Sequence, residues 1–200
     1  MKVIGIPLLV ISVLVIAQLA AAEQGQGPVV PKEITSNCQS CHGARGDSPA
    51  GDVPRLNGQQ SAYLVQRMKD FRDPTREDPH ATTIMWRVMS NVSDASFTPI
   101  AAYYAEQKPT RAAPKSTRAI EGRKIFMMGA ADIPACQSCH GVDAGGRGAI
   151  PRLAGQHAAY LKNQLERLSL AMRESDIMHP TLRSMSEAQM DAIVAYLARD

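Results

Sequence analysis

Aromatic residues are scarce in this chain. Phe, Tyr and Trp make up 4% of 200 residues, and there is one tryptophan. A core of this size therefore has little planar apolar bulk of its own. Basic character is also missing in any organised form. The formal charge is +3, with no stripe of lysine and arginine, which argues against nucleic acid as a partner. No segment alternates apolar and polar residues as a half-buried strand would, so the periodic stretches have to be helices. Apart from one run at the N-terminus, nothing is apolar enough to span a bilayer. Cysteine is limited to four residues, and their placement gives the first positive information.

All four cysteines fall in two copies of one pentapeptide, Cys38-Gln-Ser-Cys41-His42 and Cys136-Gln-Ser-Cys139-His140. Cys-x-x-Cys-His is the attachment spacing for c-type haem: two thiols add to the two vinyl groups of one haem, and the next residue offers its imidazole to the iron. A four-thiolate zinc site would need the two pairs to lie far closer in sequence and would leave each histidine unexplained. A thioredoxin-like redox pair would need a βαβ context. A disulfide inside each pair would close a strained two-residue loop. The expected cofactors are therefore two covalently bound haem c groups, whose porphyrins supply the missing planar bulk and tie folding to the cofactor. Four propionates would carry the +3 chain to neutral or mildly acidic.

The N-terminus reads as an export signal. Lys2 precedes an apolar run from Val3 to Leu19, and Ala20-Ala21-Ala22 supplies a small-residue cleavage site. Cleavage after Ala22 places the mature chain in the bacterial periplasm. The alternative, a retained anchor, meets a run of about 17 residues, the lower limit for spanning.

The remaining chain is one unit written twice. Pro54-Arg55-Leu56 returns as Pro151-Arg152-Leu153, Gly58-Gln59 as Gly155-Gln156, and Tyr63-Leu64 as Tyr160-Leu161, all 97 residues later. Toward each unit's end the offset is 93, with Ser93-Asp94 matching Ser186-Glu187 and Ala102-Tyr103 matching Ala195-Tyr196. The changes of offset place short insertions in the first unit's loops, one of them around Arg72 to His80. The chain thus divides into a signal peptide over 1–22, a first unit over 23–108, an exposed linker over 109–117 with Pro109 and Pro114, and a second unit over 118–200. Helical spacing predicts a stripe of Tyr63, Leu64, Met68 and Phe71 in one unit and Tyr160, Leu161, Leu165 and Leu168 in the other. A terminal helix carries Met190, Ile193, Val194 and Leu197, with Ser186 as N-cap and Gln189 completing a capping box. Ser93 caps its counterpart, and a further helix over Ile120 to Met128 leads into the second motif.

His42 and His140 are the proximal candidates. For the sixth position the repeat selects among ten methionines. Only Met85 and Met178 coincide between the copies in this loop, each eight residues before the aligned serine. Met89 and Met185 are only the fallbacks, because they align with Leu182 and Val92 and not with methionines. His80 and His179 are weaker ones. Pro54 and Pro151 stand where a carbonyl suits the Nδ1–H of the ligand histidine, although a plain loop turn explains them as well. Arg55 and Arg152 suit propionates or open solvent. Gln59 and Gln156 suit a helix cap or a bond at a haem edge.

These features together resemble the dihaem class I cytochromes c of the cytochrome c4 family. The resemblance rests on the two haem motifs, the Pro-Arg-Leu-x-Gly-Gln segments, the Met loops, the Ala-Tyr-Tyr and Ala-Tyr-Leu terminal helices, and Ile133-Pro134-Ala135 before Cys136. It covers nearly all of the expected mature chain. It implies an all-α fold of two tandem class I cytochrome c domains related by a pseudo-twofold, with His/Met ligation and haem edges facing each other. It further implies an electron carrier, not an enzyme, working between a cytochrome bc1-type donor and a terminal oxidase or dehydrogenase, with peripheral association at the membrane. The first Met loop departs from the pattern by following a charged, proline-containing insertion. A dedicated subunit of a periplasmic dehydrogenase would carry the same haems. A dihaem peroxidase would need an open iron, which paired Met loops oppose.

Overall fold

The computed structural model describes residues 30–72, 81–114, 116–173 and 175–198, with 81 and 82 as backbone only. The expected signal peptide, its cleavage site and His80 lie outside these residues. Among the described residues the ordered elements are helices, and strand pairing is limited to isolated bridges. In the first unit a π-helical turn, Ile34–Cys38, leads into α1 (Gln39–His42). Then come α2 (Ser61–Asp70), a second π-helical turn (Ala81–Met85), α3 (Trp86–Met89) and α4 (Asp94–Ala105). The second unit has α5 (Thr117–Met128), α6 (Gln137–His140), α7 (Ala158–Ser169), α8 (Met178–Leu182) and α9 (Glu187–Leu197).

The expected stripes are the ones buried. Leu64 and Met68 on α2 and Leu161 and Leu168 on α7 turn inward, one or two helical turns apart. The capping box at α9 is present: Ser186 Oγ accepts the Gln189 N–H, and Gln189 Oε1 accepts the Ser186 N–H at 2.8 Å. Ser93 precedes α4 as expected but makes no cap bond. The third helical residue there is Ser96, and the two hydroxyls pair at 2.9 Å while Ser96 donates to Glu33. A short hydroxyl at that position diverts the capping oxygen.

Two hydrophobic cores form, one around Ile34, Phe97, Ile100 and Tyr104, the other around Phe126, Ile133, Ile193 and Leu197. Separate cores match the duplication. In the second, α5 and α9 touch backbone to backbone. A Cβ placed on Gly122 would lie 1.8 Å from the Ala192 carbonyl oxygen, so only glycine permits this crossing.

The units meet through hydrogen bonds that repeat about the pseudo-twofold. Gln60 Nε2 donates to Gly145 O at 2.8 Å, and its counterpart His157 donates from Nε2 to Ser48 O at 2.9 Å. Arg173 donates to the Tyr63 hydroxyl at 2.9 Å. Hydrogen bonds hold the connecting segment. Asn57 Nδ2 donates to Lys108 O and Thr110 Oγ1, and the Ala113 N–H donates to Ala198 O.

Two candidate haem sites

The two Cys-x-x-Cys-His segments are built alike. In each, the first cysteine precedes a single helical turn, α1 or α6, that ends on the histidine. Gly43 and Gly141 follow with φ of 80°, a conformation that favours glycine, and their N–H groups close the turn onto Gln39 O and Gln137 O. The turn ends immediately after the histidine, so the imidazole points into the unit while Cys41 and Cys139 stay at the surface.

His42 and His140 are both buried. The Nδ1 of His42 is 2.9 Å from Pro54 O, and that of His140 is 3.0 Å from Pro151 O. A carbonyl only accepts, so Nδ1 carries the proton and Nε2 keeps its lone pair. Burial lowers the pKa of both rings, and the proline carbonyls only partly oppose that shift. Each histidine is therefore held neutral and in the one tautomer that presents Nε2 to a metal.

The cysteines are free thiols here and stand for the thioethers they become on haem attachment. Burial pushes the Cys38 thiol up to about 11 and raises that of Cys136. Met85 immediately precedes α3 and Met178 opens α8, and each packs against its own core. Met89 and Met185 lie inside those cores. His179 is engaged elsewhere, with Nδ1 2.9 Å from Leu168 O.

Arg55 reaches the opposite unit, and Arg152 reaches the connecting segment. Arg55 Nη1 donates to Gly155 O at 2.9 Å, and Arg152 Nη2 to Thr110 O at 3.2 Å. Both line one small polar cavity with Gln59 and Gln156. The buried Nε of Arg152 has no partner among the described residues. Burial lowers the Arg152 pKa against the pull of Asp143, so this cation sits short of an anion. That deficit suits a carboxylate-bearing group such as a haem propionate.

The sequence pattern assigned no interdomain role to Gln59 and Gln156. Both are buried and bridge the units. Gln156 Oε1 accepts the Arg55 N–H at 2.9 Å while Nε2 donates to Arg55 O at 3.0 Å. Gln59 Oε1 accepts the Arg152 N–H at 2.7 Å while Nε2 donates to Arg152 O at 3.0 Å. Their recurrence after Gly58 and Gly155 was the available signal.

The chain is similar to known c-type cytochromes. The cytochrome c family model matches residues 119–199. A cytochrome c-552 of Acidithiobacillus ferridurans is 36% identical, over 92% of this chain and 83% of its own length. Cytochrome c4 of Pseudomonas aeruginosa is 34% identical over 80% and 82%. A thiosulfate dehydrogenase electron acceptor of Thiomonas intermedia is 35% identical over 93% and 89%. The solved cytochrome c4 of Acidithiobacillus ferrooxidans superposes with a TM-score of 0.75 at 37% identity, covering 81% of this chain and 98% of that one. Two attachment motifs, two class I cores and this level of identity lead to one assignment: the chain belongs to the cytochrome c4 family, as a dihaem c-type cytochrome that carries electrons.

Proposed function

We propose that the protein is an exported, periplasmic carrier in which His42 and Met85 close the axial positions of the first haem, and His140 and Met178 those of the second. The duplicated histidine geometry carries this reading: in both units a buried ring is locked by a proline carbonyl with Nε2 left for a metal. Met85 and Met178 fit the sixth position because they share a register and lie half-buried. Met89 and Met185 are used up as core side chains. When bound, each haem supplies a one-electron ferrous–ferric couple, and thioether ligation favours the ferrous form.

The chain's own residues then have three tasks. The histidines and methionines hold the ligand set constant, so little rearranges during transfer. The two apolar cores keep water from the sites. Arg55 and Arg152 meet the propionates at the unit boundary. No described helix is long and apolar enough to cross a membrane. Its partners are redox proteins, and they dock through small transient interfaces. A cytochrome bc1-type donor and a terminal oxidase fit a mobile carrier associated peripherally with the membrane. A second reading, a dedicated acceptor for a periplasmic dehydrogenase, is supported by the relative named as a thiosulfate dehydrogenase electron acceptor.

The test is the oxidised absorption spectrum of the holoprotein with Met85→Ala and Met178→Ala. Each substitution is expected to remove about half of the weak Met–iron band at the red end of the spectrum. An unaltered protein with high-spin iron, or variants that keep the full band, would overturn the ligand assignment.

A further inference from the structure

The two Pro-Arg peptide groups are each gripped at both ends, and from different units. Pro54 O accepts the proton of His42 Nδ1 at 2.9 Å. The N–H of that same peptide, on Arg55, donates to Gln156 Oε1 at 2.9 Å. In the other unit Pro151 O faces His140 Nδ1 at 3.0 Å, and the Arg152 N–H donates to Gln59 Oε1 at 2.7 Å. Both glutamines are buried, with 7% of each surface exposed. Each amide orientation is fixed by its neighbours, because Nε2 faces a carbonyl and Oε1 also accepts the next residue's N–H.

We propose that Gln156 and Gln59 are crossed positioning residues: each tunes, through one peptide group, the axial histidine of the other unit's haem. The inference rests on the ligation by His42 and His140 proposed above.

The physical route is short. When a peptide N–H donates a strong hydrogen bond, electron density shifts to its carbonyl oxygen, and successive bonds in a buried chain polarise one another. Gln156 therefore makes Pro54 O a better acceptor. The His42 Nδ1–H bond strengthens and the ring becomes a stronger donor through Nε2. A stronger donor favours ferric over ferrous iron, so each glutamine holds down the potential of the haem in the opposite unit. The same contacts make the unit interface part of both redox sites. A partner that shifts one unit against the other changes both potentials without touching a ligand.

The test uses the intact holoprotein. Haem methyl resonances assigned to each unit are followed through a redox titration of Gln156→Leu, Gln59→Leu and Gln156→Glu. Leucine keeps the apolar volume and removes the acceptor. Gln156→Leu is expected to raise the potential of the first haem and to move the second less, although residue 156 belongs to the second unit. Gln59→Leu should give the mirror result. Gln156→Glu keeps an acceptor oxygen and should produce no rise. In the reduced, diamagnetic protein the His42 Nδ1–H resonance should move upfield in Gln156→Leu while that of His140 stays in place.

The idea fails if Gln156→Leu moves the second haem as much as the first, if neither haem moves, or if the glutamate variant behaves like leucine. Separation of the units would move both haems together and counts against it. The proposed ligation fails on different grounds, a missing Met–iron band in the unaltered protein. A protein with an intact spectrum and no crossed shift overturns only the role of the glutamines.

Discussion

Gly122→Ala sets two known effects against each other at one atom. In an open helix, alanine would stabilise by about 1 kcal/mol through the lost conformational freedom of glycine. Here the new Cβ would meet Ala192 O at 1.8 Å, Ala192 C at 2.4 Å and Ile193 N at 3.0 Å. These are backbone atoms of α9 and cannot rotate aside. Non-bonded carbons settle at about 3.5–4.0 Å, so α5 has to retreat by roughly 1.5 Å. A radial gap of about 0.5–1 Å already forfeits a quarter to a half of each contact. The seam includes Phe126, with no exposed surface, and Ile193 at 3%. Overpacking of this kind costs about 1–3 kcal/mol, and with backbone on both sides the upper end applies. The expected net loss is about 2 kcal/mol, or a fall of about 10 °C in the melting of a unit this size. Urea unfolding of the holoprotein, followed at each haem separately, is the assay. The second unit's midpoint should drop while the first unit's holds. A midpoint equal to or above that of the unaltered protein would show that α5 and α9 do not touch through Gly122.

Two further outcomes follow from the same structure. Trp86 is the single tryptophan and adjoins Met85. Its fluorescence should be strongly quenched in the native holoprotein and recover only as the first unit unfolds; bright native emission would place the first Met loop away from its haem. Asp191 is held below its usual pKa mainly by the hydrogen bond from Lys162, which it meets at 2.9 Å, while Lys162 is raised by Asp191 and Glu187. A lowered carboxylate stabilises above its unfolded pKa and loses that contribution as pH falls through the folded value; the raised lysine loses its share as pH climbs through its own folded value. The Asp191→Asn variant should therefore converge on the unaltered protein as pH falls below about 4, while above about pH 10 the difference should shrink but persist, because Arg118, 3.5 Å from Asp191, keeps its charge. The difference should be small and should fade near 1 M salt, where the screening length is about 3 Å; an equal difference at pH 2 would refute the pairing.

What was legible in the sequence was whatever repeats within one unit. The haem turns, the helix stripes and the Ser186 capping box depend on residues a few positions apart, and period alone finds them. The proline carbonyls were legible because the Pro-Arg-Leu segment recurs, 12 residues after His42 and 11 after His140. Ser93 stands at the N-cap as expected but makes no side-chain cap bond, because Ser96 replaces the glutamine that completes the motif at Ser186. The interface was not legible. Gln59 and Gln156 bond to residues 93 to 101 positions away in the other unit, and no periodicity within a unit reports such a contact. Another gap is conformational: Gly46 and Ala144 occupy the same turn, both with positive φ. A carbonyl at that turn accepts two N–H groups in each unit, which compensates the strain on the alanine.

The interface also shows why sequence identity between the units understates their structural symmetry. Gln60 and His157 are different residues, yet each places one N–H on the carbonyl of the opposite unit's loop, Gly145 or Ser48. The acceptor is backbone, and backbone is unchanged by substitution. Any side chain of the right reach with an N–H can fill the donor position. Gln59 and Gln156 have a narrower requirement: each must accept one N–H from the opposite unit and return a donor to the neighbouring carbonyl of the same arginine. Among uncharged side chains of that length only glutamine offers both an acceptor oxygen and two N–H donors. The position that tolerates exchange and the position that keeps one residue thus differ by the chemistry demanded of them, and the demanding one is bonded to the peptide that holds the axial histidine.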